Sequence, residues 1–133
     1  MTYDDFIATV ARRTGLPNEQ ARSLTEATLQ TLADRISAGE AGDLANVLPT
    51  RLGDPLRKPP SREFAEPFDL AEFLDRVSAR AGIDGAQAAP GVAAVMSTIR
   101  EAVPRHEFDD MRSQLSTDLR QLTEPVPAPG TLG

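Results

Sequence analysis

The sequence predicts an all-α protein: a helical bundle built from two tandem, sequence-related helical repeats of about three to four helices each. Three observations carry this. Apolar residues recur at i, i+3, i+4 and i+7 in the long segments, the spacing that lines one face of a helix. No segment alternates β-branched and polar residues between turn signals, as a strand would. Residues 3–52, moved along by 67 positions without a gap, meet residues 70–119 with matches at Phe6/Phe73, Val10/Val77, Arg13/Arg80, Gly15/Gly82, Ala21/Ala88, Ala27/Ala94, Thr31/Thr98, Glu40/Glu107, Asp43/Asp110, Leu48/Leu115 and Leu52/Leu119. Chance would supply roughly three or four for this composition. Conservative apolar pairs such as Ile7/Leu74, Leu32/Ile99 and Leu44/Met111 extend the match.

The first helix is predicted over 3–14. Thr2 is its cap, Asp4 and Asp5 complement the dipole of its first turn, and Tyr3, Phe6, Ile7 and Val10 form its buried stripe. Gly15 supplies the left-handed terminator. Leu16-Pro17-Asn18 restarts the chain as a long helix to about residue 37, buried through Ala21, Leu24, Ala27 or Thr28, Leu32 and Ile36 and ended by Gly39. A shorter helix over about 40–47 offers Leu44, Val47 and Leu48, with Pro49 at its end or at a kink.

Residues 53–68 form a connector containing Pro55, Pro59, Pro60 and Pro67. Leu56, Phe64 and Phe68 within it are expected to pack against the body. The second repeat opens on Asp69-Leu70-Ala71-Glu72, a capping-box-like start, and its stripe of Phe73, Leu74 and Val77 ends at Gly82. Pro90-Gly91 falls inside the second long helix, where a kink or a restart is expected. Val92, Val95, Met96 and Ile99 continue the apolar face. Pro104 is expected at the first position of the next helix, and Leu115, Leu119 and Leu122 close a single domain of residues 1–122. Residues 123–133 read as a disordered, Pro-rich C-terminal tail.

Composition excludes several classes of function. No cysteine is present, which removes disulfides, thiolate chemistry and cysteine-ligated zinc. The net charge is −6, with the densest basic stretch at Arg57, Lys58 and Arg62, so general nucleic-acid binding is not expected. No apolar run is long enough to span a bilayer, and the acidic Met1–Asp5 lacks the basic start of a secretory leader, so no membrane partner and a cytoplasmic location are expected. The modest complement of aromatic residues is compatible with a homodimer.

Catalytic vocabulary is sparse. His106, Asp109 and Asp110 stand at helical spacing and are the weak candidates for a metal site. Against that reading, acids near a helix start offset its dipole, and no second histidine exists to complete a usual zinc site. With one histidine and no phosphate-binding glycine loop, neither an enzyme nor a cofactor is expected. The polar residues matched between repeats are more informative: Arg13/Arg80, Thr31/Thr98, Glu40/Glu107 and Asp43/Asp110. A plain solvated face is free to vary, so a structural task is expected, with Arg13 or Arg80 bridging to the acids that open the short helix. The alternative is two equivalent docking sites. In the tail, Val126 and Leu132 could serve as a linear docking peptide.

Phe6-x-x-x-Val10, Gly15, an alanine-rich helix ending Leu32-x-x-Arg35-Ile36, the turn Gly39-Glu40-Ala41 and Leu48-Pro49 together resemble the bacterial domain of unknown function 2267 family. The resemblance covers about residues 3–122 and implies a helical fold of two related halves, with no established activity and no catalytic residues to carry over. Members tend to show Gln-Leu-Pro after the short helix. This chain has Val47-Leu48-Pro49 in one copy and Gln114-Leu115-Ser116 in the other. The function expected is that of a non-enzymatic interaction module or adaptor for an unknown protein partner. The alternative is a carrier of a small apolar ligand between the halves, with room left by Ala88, Ala89, Gly91, Ala93 and Ala94.

Overall fold

The computed structural model describes residues 1–57 and 64–124. Among these are eight α-helices and no strand. The first run of elements comprises α1 (Tyr3–Thr14), α2 (Asn18–Arg35), α3 (Ala38–Asn46) and α4 (Thr50–Gly53), followed by a 3₁₀ turn over Asp54–Leu56. The second comprises α5 (Leu70–Ala81), α6 (Gly85–Ala102), α7 (Arg105–Ser113) and α8 (Thr117–Arg120), followed by a 3₁₀ turn over Gln121–Thr123. Every boundary in the second run falls 67 residues after its counterpart in the first.

Local chemistry sets these boundaries. Thr2 and Asp5 form a complete capping box at α1, and Asp69 caps α5 by accepting from the Glu72 N–H at 3.0 Å. The Glu72 carboxylate turns instead to Arg76, 2.8 Å away. Both first helices end on a left-handed glycine, Gly15 at φ 74° and Gly82 at φ 68°, a conformation costly for any residue with a Cβ.

The long helices do not each keep to their own run. α2 packs on α1 and on α5, while α6 packs on α5 and on α1, and α2 and α6 touch directly. The resulting core includes Phe6, Leu24, Leu32, Phe73, Met96 and Ile99, all essentially inaccessible to solvent. Each such side chain contributes about 1.5–3 kcal/mol through burial. Gly91 is the closest point of the α2–α6 contact, since a Cβ there would lie 2.9 Å from Leu24 Cδ2. The space left by this glycine is filled by a neighbouring side chain.

Several boundaries differ from the sequence expectation. α2 stops at Arg35, and Ser37 begins a new helix by accepting from the Glu40 N–H at 3.3 Å, so Gly39 lies inside α3. α6 runs through Pro90 without a restart. The hydrogen bond that proline removes would have ended on the carbonyl of Ala86, and both residues are exposed, so water can serve that carbonyl. Pro104 is the residue before α7, one place earlier than expected.

The segment assigned to a connector starts as regular structure, because Gly53 ends α4 and Leu56 is fully buried. Phe68 packs on the core with its ring 6.3 Å from that of Phe73, whereas Phe64 is 80% exposed. Thr123, placed in the tail by composition, is buried and receives a hydrogen bond from Arg112 Nε at 2.7 Å. Pro59 and Pro60, and Val126 and Leu132 of the tail, lie outside the described residues.

Candidate functional site

The matched polar residues come together across the two runs of helices. Arg13, in the last turn of α1, donates to Thr98 Oγ1 on α6 at 2.9 Å. Arg80, in the last turn of α5, donates to Thr31 Oγ1 on α2, also at 2.9 Å. Each threonine donates its own proton to the carbonyl four residues earlier, Thr31 to Ala27 at 2.8 Å and Thr98 to Ala94 at 2.7 Å. Each buried hydroxyl is therefore both donor and acceptor, which removes the cost of burying it.

The same arginines also reach the acid one turn further along the opposing helix: Arg80 pairs with Asp34 at 2.8 Å, and Arg13 pairs with Glu101. The expected bridge from these arginines to the acids of the short helices is thus replaced by a reciprocal clasp between the long ones. The two ends of the clasp differ in depth. The Asp34 side chain is only 6% exposed and also meets Arg76 at 3.2 Å, whereas Glu101 is 48% exposed. Arg76 lies over the Phe68 ring and, through Glu66 first and Glu72 next, is held firmly in its charged form.

The remaining matched acids form a separate cluster where α3 packs on α7. Burial, then the charges of Asp110, Glu107 and Asp43, raise the Glu40 carboxyl above the usual carboxylate range. Its Oε1 atom is buried without a hydrogen-bond partner. Like charges meet here, and the cluster opposes the packing that brings it together.

The suggested metal trio does not converge. His106 is 73% exposed with Nε2 3.4 Å from Glu107, Asp109 lies 3.8 Å from Arg105, and Asp110 faces Glu40. Among the described residues no group of three histidine or acidic side chains is arranged to hold a metal ion.

Two features escaped sequence reasoning. A cleft of about 410 Å³ lies beside α2, lined by residues that include Tyr3, Arg22, Glu26, Arg51 and Asp54, with the Arg51 guanidinium 4.0 Å from the centre of the Tyr3 ring. On the second run, two adjoining clefts of about 310 and 390 Å³ share Arg105 and Asp109, and also draw on Arg100, Arg112 and Arg120. Arginines scattered along a sequence gave no signal of this clustering. The departure from Gln-Leu-Pro has a visible counterpart too: Gln114 accepts from the Ser37 N–H at 2.8 Å and donates to Ser37 Oγ at 3.1 Å, tying the end of α7 to the start of α3.

Fold and residues define a helical-bundle domain locked by reciprocal arginine–threonine contacts. The model of the family described as an uncharacterized conserved protein, DUF2267, matches residues 3–122, and the chain belongs to that family. No curated protein matches the chain. No described helix is long and apolar enough to cross a membrane.

Proposed function

We propose that this chain is a non-enzymatic, cytoplasmic protein-interaction module made by tandem duplication of one helical unit. The reciprocal clasp is the observation that carries the reading. Arg13 to Thr98 and Arg80 to Thr31 join the two runs of helices through buried groups, so side chains from both runs sit at fixed relative positions. A surface held in this way loses little freedom on docking, which favours recognition of a partner over a mechanism that needs opening and closing. The shared 67-residue spacing of all element boundaries supports the duplication. The carrier alternative finds less support, because the gap left by Gly91 is occupied by Leu24.

Affinity enrichment from the lysate of the source cells tests the proposal, comparing the full chain with a version ending at Glu124. The truncation keeps Thr123 and Glu124, both of which Arg112 contacts. A specific partner retained by both forms is the expected result and places recognition on the helical body. A partner lost on truncation would move it to the tail. If neither form enriches a partner while an apolar ligand raises the melting temperature, the carrier reading replaces this one.

A further inference from the structure

We propose that the face formed by Arg100, Arg105, Arg112 and Arg120 is a docking site for an acidic segment of a protein partner, an inference that rests on the interaction-module reading. The face is positive on a molecule whose net charge is −6. Its four arginines share two adjoining clefts in which Asp109 is the acidic lining residue. Arg105 is 95% exposed and no closer than 3.8 Å to Asp109, and among the described residues neither Arg100 nor Arg120 makes an ion pair.

Three of the four guanidinium groups are held in place by neutral partners. Arg120 donates to the carbonyls of Leu115 at 3.1 Å and Ser113 at 3.4 Å, Arg112 donates to Thr123 Oγ1 at 2.7 Å, and Arg100 lies 5.0 Å from the centre of the Phe108 ring. Restrained in this way, they lose little rotamer freedom when a carboxylate arrives, and the planar fork of arginine matches a carboxylate in two bonds. The chain itself shows one such arrival, since Glu124 binds Arg112 at 2.6 Å at the edge of the face.

The corresponding positions 67 residues earlier are Ala33, Ala38, Ala45 and Gly53. There the small side chains serve packing: Ala33, Ala45 and Gly53 are buried, and a Cβ on Gly53 would lie 2.8 Å from the Ala45 carbonyl oxygen. Arginine has no packing task of that kind on the second run, where Arg100, Arg105 and Arg120 stand exposed. Two linked clefts exceed what a single small anion would fill, and the overall negative charge opposes a long polyanion such as nucleic acid, which leaves a short acidic peptide stretch as the fitting occupant.

Fluorescence anisotropy with a labelled oligoglutamate peptide tests this on the full chain. Arg100→Glu with Arg105→Glu removes two arginines that make no hydrogen bond, and Arg12→Glu with Arg22→Glu gives the same change in net charge elsewhere. The expected result is salt-sensitive binding that weakens about tenfold or more in R100E/R105E and by no more than about twofold in R12E/R22E. No binding to the unaltered protein, equal loss in both double variants, or tighter binding of an oligothymidylate would overturn the site. A lysate partner enriched equally by the unaltered protein and R100E/R105E would also overturn it, while leaving the interaction-module reading standing.

Discussion

At the scale of single residues, the two ends of the clasp make chemically similar contacts at different depths. Asp34 is nearly sealed from solvent between Arg76 and Arg80, whereas Arg13 and Glu101 meet in partial solvent. Asp34→Ala is therefore expected to cost about 2–4 kcal/mol, because two arginines lose a buried counter-charge. Glu101→Ala should cost less than about 1 kcal/mol, and urea denaturation of the two variants gives the comparison. Glu40 behaves oppositely. Its pKa is higher in the folded protein than the ordinary 4.5, so the folded state binds the proton more tightly. Its contribution to stability is fully present below about 4.5 and is lost as pH rises through the raised value. Glu40→Gln should accordingly raise the melting temperature at neutral pH, by a few tenths to about 1 kcal/mol in stability, with the gain vanishing in acid. An unchanged difference across the pH range would show that the effect is not the carboxylate's charge. Repetition in the sequence marked Arg13, Arg80, Thr31 and Thr98 as sharing a task. It could not say that each arginine is received by the opposite run, because matching positions carry no information about which run a side chain faces. Asp34 and Glu101 went unremarked because the pair matches in charge but not in identity.

At the scale of elements, most helix starts and stops were legible. Thr2, Gly15, Asp69 and Gly82 act through bonds within a few residues, and such local chemistry is written in the local sequence. Ser37 was missed because Gly39 drew the boundary, yet glycine tolerates a helix interior once a serine has capped it. Phe64 was expected to be buried because it is large and apolar, and its exposure depends on the path of the chain, which no local pattern records. The glycines within helices separate by surroundings. Gly53 is pressed against the backbone of α3, which cannot swing aside, so Gly53→Ala should destabilise by about 1–3 kcal/mol. Gly42, in the interior of α3, has open space where a Cβ would stand, and Gly42→Ala should stabilise by about 0.5–1 kcal/mol through helix propensity alone. Thermal denaturation followed by circular dichroism reads both, and the opposite ordering would contradict the packing of α4 on α3.

At the scale of the whole molecule, the all-helical class and the approximate core were legible because helical spacing and burial go together. The way the runs interlock was not. α2 against α5 and α1 against α6 are contacts between residues far apart in sequence. They leave neither run with a core of its own, so calorimetry should give a single transition with equal calorimetric and van 't Hoff enthalpies. Two resolved transitions would mean that the runs unfold independently. The reciprocal clasp also bears on assembly. An arginine from a second chain would satisfy Thr98 or Thr31 as well as the chain's own does, and the geometry of the contact is blind to which molecule supplies it. Covalent tethering decides the matter by holding the two runs at a local concentration in the millimolar range, provided the connector spans them. Where the protein is crowded to a comparable level, arm exchange between neighbouring molecules conserves every clasp contact, and a closed dimer becomes a change of ownership with little change of structure.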